Sequence, residues 1–187
     1  SYIDDVKEID NNKFHPTSDP SDLSQCDVII IAVPTPLHEN KRPDLKPVKS
    51  ASQQVGKNMR RGQLIVLEST TYPGTTEEIM VPILEMNSGL KALTDFGVAY
   101  SPERIDPGNK NYSVKTTPKV VGGMTPEWTE ATARVYGSVI SNIFQVSDCK
   151  TAEMVKIYEN VFRNVNIALV NEMALICERM DINMWEV

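Results

Sequence analysis

Short apolar runs alternate with helix-length amphipathic stretches along most of this chain. The first run, VIIIAV at 28–33, is apolar at every position, the pattern of a strand covered on both faces of a parallel sheet. A loop holding four of the twelve prolines, PTPLHENKRPDLKP, follows it. Residues 46–60 then carry Val48, Ala51, Val55 and Met59 at helical spacing. The cycle repeats. QLIVLEST (63–70) predicts a second buried strand, and Gly74 opens a helix with Glu77 and Glu78 in its first turn, where acidic groups suit the positive end of the helix dipole. DFGVAYSPE (95–103) predicts a third strand; PKVVGG (118–123), a helix over 126–140 and SNIFQVSD (141–148) continue the alternation. Strand and helix in this order predict an α/β fold with a mainly parallel sheet joined by right-handed crossovers.

Over residues 151–180 the period changes. Met154, Val155, Tyr158, Val161, Phe162, Val165, Leu169, Met173 and Ile176 recur at steps of three and four, with no Pro or Gly between them. This predicts one helix about 45 Å long at 1.5 Å per residue, against a mean of roughly 11–12 residues for globular helices. Such a helix reads as a spine between domains or as a dimerisation element. Met184 to Val187 reads as the start of a further helix. The division expected is 1–148 as an α/β unit and 149–187 as the long helix with the start of another unit. An open α/β sheet that binds dinucleotides begins with a strand and a GxGxxG turn. No such turn is present, and the first 14 residues are mostly polar.

Composition narrows the class. The 187 residues are 41% hydrophobic, enough to build a core, and carry a net charge of −6, which argues against coating nucleic acid or an anionic membrane. Six apolar residues in the longest run cannot span a bilayer. The acidic N-terminal stretch lacks the layout of a signal peptide. Cys26, Cys149 and Cys177 are widely spaced, form no CxxC pair, and have only two histidines for company. Neither a disulfide framework nor a metal site is expected, and the chain reads as a soluble protein of the reducing cytoplasm.

Chemistry can sit where strands end. Ligands of parallel α/β sheets bind outside the carboxyl ends of the strands. Three such ends carry unusual loops: VPTP (33–36), ESTTYPG (68–74) and YSPERIDPG (100–108). Their hydroxyls can meet a ligand or can cap the following helices. On the long helix Lys156, Asn160 and Arg163 share a face, so an ammonium, an amide and a guanidinium can converge on one ligand. A solvated basic stripe is the competing reading. It is weakened by Val155 and Ile157 on either side of Lys156.

The segments AVPTPLHENKRPDL, LIVLESTTYPGTTEE, YSPERIDPGN, PKVVGG and AEMVKIYENVFRNVNIALVNE, in this order, closely resemble the UDP-glucose/GDP-mannose dehydrogenase family. The resemblance implies a partial Rossmann-like parallel sheet followed by a long central helix that forms a homodimer. It implies NAD as cofactor and a UDP-sugar, a UDP-N-acetylhexosamine, as substrate, its C6 alcohol oxidised to the uronic acid in two steps. By the same resemblance Thr35 and Thr70 contact NAD; Glu103, Arg104 and Ile105 form the substrate loop, with Glu103 assisting water or proton transfer. Lys156 is the proton donor or oxyanion stabiliser, and Asn160 and Arg163 bind substrate. Pro107 stands where the glucose branch often has a second acid. The family's Gly-rich loop and its GGHC-type cysteine motif are absent, and Cys26, Cys149 and Cys177 do not match the latter. The expectation is therefore a middle piece of such an enzyme, inactive by itself. An N-acetylmannosamine-specific enzyme and a non-catalytic α/β dimerisation module are the alternatives.

Overall fold

The computed structural model describes residues 14–104 and 116–187. Among the described residues five strands form one sheet in sequential order: β1 (Val28–Ile31), β2 (Leu64–Leu67), β3 (Gly97–Tyr100), β4 (Lys119–Gly123) and β5 (Ile143–Gln145). β1, β2 and β3 run parallel, as do β4 and β5, while β3 and β4 pair antiparallel through Ala99 with Gly123 and Tyr100 with Gly122. That reversal fits the Pro- and Gly-containing stretch between them, since an antiparallel neighbour needs no crossover helix.

Helices α1 (Lys46–Asn58), α2 (Val81–Ser88), α3 (Pro126–Gly137) and α4 (Cys149–Arg179) complete the fold. Alternation along β2 sorts the core into two layers. Ile65 and Leu67 pack with Val48, Val55, Met80, Leu84, Cys149 and Ala152, whereas Leu64 and Val66 pack with Ala133, Tyr136 and Ile140 of the α3 side. The expectation that β1 is covered on both faces is corrected. Ile29 and Ile31 are buried, but Ile30 is 44% exposed, because among the described residues β1 ends the strand order and no helix packs on that face.

The helix expected from Gly74 begins as a π turn, Thr76–Met80, and becomes regular at α2. Pro82 explains the change. It has no N–H to give to an i−4 carbonyl, so the wider turn, in which the Val81 N–H reaches the Thr76 carbonyl, precedes it. α4 has 31 residues and is capped by Asp148, whose carboxylate accepts from Thr151 N at 2.7 Å. Cys149, Ala152 and Glu153 are buried, yet every residue from 161 to 172 is exposed. Residues 184–186, where a further helix is expected to start, form a turn, with the Cys177 thiol 3.6 Å from Met184 Sδ. No helix among the described residues is long and apolar enough to cross a membrane.

Candidate functional site

The carboxyl ends of β1 and β2 open onto a pocket of about 470 Å3 whose walls include Val33, Thr35, Glu68, Ser69, Thr70 and Glu103. Ser69 ties the two strand ends together: its hydroxyl accepts from Val33 N at 2.9 Å and donates to Val33 O at 2.6 Å. Thr35 Oγ1 is buried with no hydrogen-bond partner among the described residues. A buried hydroxyl left in this way can bond a polar ligand atom or a water. With Thr70 exposed beside it at the ends of parallel strands, the pocket fits a polar group of a dinucleotide such as NAD.

Glu103, just beyond β3, borders this pocket, and the next residue, Arg104, borders a groove of about 570 Å3 along α4. Arg104, Lys156, Glu159, Phe162, Arg163 and Asn166 are among the groove's walls. Lys156 Nζ donates to the Glu103 carbonyl at 2.7 Å. Arg104 pairs with Glu159, donates Nη1 to Pro118 O at 3.2 Å, and keeps a buried Nε without a partner among the described residues. Burial pulls the Lys156 ammonium below the usual lysine range; Glu159 opposes this, and Arg163 adds to it. Arg104, Lys156 and Arg163 are thus brought to one groove. Asn160 is half-buried on the same helix and is not part of the groove wall. Ile105 and Pro107 lie outside the described residues.

Four charged or polar groups near this junction escape a reading by motif. Glu68 ends the apolar run of β2, and Lys119 opens β4; they pair at 2.6 Å. The Tyr136 hydroxyl donates to the other Glu68 oxygen at 2.6 Å, and its own proton is held above the usual phenol range by burial and then by Glu68. Glu153, fully buried on α4, accepts from Gly74 N at 2.5 Å, Thr76 N at 2.9 Å and Thr76 Oγ1 at 2.7 Å. It ties the start of α4 to the loop that carries Thr70. Glu68 and Lys119 left only a faint trace in the sequence, a charge at the end of an apolar run, and Tyr136 and Glu153 left none.

The three cysteines stand apart from the junction. Cys26 is exposed, Cys149 is buried with its thiol on Gly122 O, and Cys177 packs near the end of α4. Burial pushes the Cys149 thiol far above its usual range, which makes it a poor nucleophile. Among the described residues no cluster of His, Cys, Asp and Glu can hold a metal ion.

Residues 4–140 match the NAD binding domain of the UDP-glucose/GDP-mannose dehydrogenase family, and residues 150–187 match its central domain. The chain is 48% identical over 178 residues to the protein CapL of Staphylococcus aureus, covering 95% of this chain and 42% of that protein. It is 44% identical over 188 residues to UDP-N-acetyl-D-glucosamine 6-dehydrogenase of Pseudomonas aeruginosa, covering 97% of this chain and 44% of that protein. A UDP-D-ManNAc dehydrogenase structure from Pyrococcus horikoshii superposes with a TM-score of 0.83 at 40% identity, over 91% of this chain and 40% of that one. The chain therefore spans less than half the length of these relatives.

Proposed function

Because the chain belongs to the UDP-glucose/GDP-mannose dehydrogenase family, we propose that it is the central part of an NAD-dependent dehydrogenase that oxidises the C6 alcohol of a UDP-N-acetylhexosamine to the uronic acid. The observation that carries the reading is the junction at Glu103. Glu103 borders the hydroxyl-lined pocket, and its carbonyl accepts from Lys156, a wall residue of the cationic groove. NAD, when bound beside Thr35 and Thr70, supplies the hydride acceptor for both oxidations.

The chain's own residues do the remaining work. Arg163 and Arg104 offer planar donors to the anionic or carbonyl groups of the sugar nucleotide. The Lys156 ammonium stabilises negative charge on the C6 oxygen as its proton leaves. Glu103 orders water and carries protons at the same oxygen. A covalent second oxidation requires a thiolate, and neither buried Cys149 nor remote Cys26 and Cys177 supplies it. That nucleophile then belongs to the part of the enzyme outside these 187 residues, and the isolated chain is inactive. The exposed face of α4 is the contact with a second copy.

NADH formation by the complete enzyme tests the reading, with UDP-N-acetylglucosamine and UDP-N-acetylmannosamine compared side by side. Turnover of the first in preference to the second is the expected result. The reverse would establish the second reading, which the likeness to the Pyrococcus horikoshii UDP-D-ManNAc dehydrogenase favours. Turnover of neither would refute both. NADH formation by the 187-residue chain alone, free of contaminating enzyme, would refute its description as an incomplete catalytic unit.

A further inference from the structure

We propose that Lys119 is a positioning residue, a single buried ammonium shared between Glu68 and Glu103 that holds the Glu103 carboxylate at the junction of pocket and groove. The inference rests on the reading of Glu103 as the group that handles water and protons. It begins with an anomaly of sequence. Lys119 opens a strand in which every residue is buried, and it is itself only 5% exposed. A lysine in that position persists when it is paired on more than one side.

The pairing is specific. Lys119 Nζ lies 2.6 Å from Glu68 Oε1, 3.6 Å from Glu103 Oε2 and 4.9 Å from the centre of the Tyr136 ring. Tyr136 satisfies the second Glu68 oxygen from α3, so Glu68 is fixed from two sides. The remaining reach of the ammonium is toward Glu103. Glu103 Oε1 accepts from Arg104 N at 2.7 Å, and its carbonyl accepts from Lys156 on α4. Among the described residues the charged and titratable groups that face Glu103 include Glu68 after β2, Lys119 on β4, Tyr136 on α3, Lys156 on α4, and neighbouring Arg104 with its partner Glu159.

Charge balance makes the role concrete. Glu68, Glu103 and Lys119 border one cavity of about 220 Å3, together with Val139 and Ile140. Among the described residues both carboxylates pair with the Lys119 ammonium. Without the ammonium, two like charges face each other beside an apolar wall, and one of them takes a proton or swings away. Glu68 keeps its bond from Tyr136. Glu103 keeps its bond from Arg104 N and loses the ammonium that offsets the Glu68 charge.

The test uses the complete enzyme with Lys119→Met, Lys119→Arg and Glu68→Gln, each checked for a native melting transition. The readouts are the acid limb of kcat/KM and the carboxyl carbon-13 titration of Glu103, assigned by its loss in Glu103→Gln. Lys119→Met should raise both by about one pH unit or more and lower kcat about tenfold, while Lys119→Arg restores them. Glu68→Gln should move the Glu103 titration the opposite way, because the ammonium then serves Glu103 alone. This arm decides the matter if Lys119→Met fails to fold. An unmoved Glu103 titration in either folded variant would overturn the proposal. Absence of activity on UDP-N-acetylhexosamines would refute the functional reading instead, and the carboxylate titration would still decide the part played by Lys119.

Discussion

Lys156 lies among apolar neighbours, and its chemistry follows from that placement. Its ammonium is partly stripped of water and retains one short bond, to the Glu103 carbonyl. Lys156→Ala in the complete enzyme should lower kcat by about 100-fold or more, the scale of losing one oxyanion donor. Because burial depresses its proton affinity, the charged and stabilising form is lost as pH rises through a value below the ordinary lysine range, near 10.4. The alkaline limb of kcat should fall early for this reason and move upward in Lys156→Arg; a limb that stays in place in that variant would assign it to another group. Arg163→Ala should raise KM for the sugar nucleotide with little change in kcat, since it removes binding common to ground and transition states. Wild-type kinetics would return Arg163 to a solvated stripe. Lys156 and Arg163 were legible in the sequence because helical spacing alone puts them on one face. Lys119 and Glu153 were not, since their partners lie across the fold, at Glu68 and at Thr76.

At the level of elements, periodicity located the strands because β2 and β3 are short, wholly buried runs, and it located α4 because nothing interrupts its apolar repeat. It could not reveal the antiparallel step between β3 and β4, which depends on a connection rather than on a pattern. Nor could it show that one face of β1 is left open by the described residues, because an edge and a centre of a sheet share the same apolar run. Close approach between elements is similarly hidden. A Cβ at Gly122 would lie 2.2 Å from the Asp148 carbonyl oxygen, so β4 and the cap of α4 touch backbone to backbone. Gly122→Ala should therefore destabilise the chain by about 1–3 kcal/mol, because backbone on both sides must shift. Gly137→Ala is the matched control, meeting only Ile143 Cγ1 at 3.9 Å. Urea unfolding checks both, with a lowered midpoint for the first and a near-native one for the second. Equal midpoints would show that β4 can move away from α4 freely.

At the scale of the whole molecule the first turns of α4 belong to the sheet's core, and the remainder runs beyond it. Val161, Phe162, Val165, Leu169 and Val170 are each more than half exposed, and Tyr158 stacks on Phe162 with ring centres 6.5 Å apart. Phe162, Leu169 and Ile176 recur every seven residues, with Val161 and Val165 beside them. A contiguous apolar surface of that extent marks an interface. In the proposed homodimer a second copy of the same helix would cover it by a two-fold contact in which each stripe meets its counterpart, the commonest solution among oligomers. The 187-residue chain should therefore sediment as a homodimer at micromolar concentration. Phe162→Glu with Leu169→Glu should release monomers of 20.9 kDa while leaving the melting of the sheet domain nearly unchanged, since neither side chain belongs to its core. A wild-type chain that sediments at 20.9 kDa would refute this contact. Polydisperse aggregation that the paired charges abolish without yielding a wild-type dimer peak would mean that the stripe is covered by another part of the enzyme.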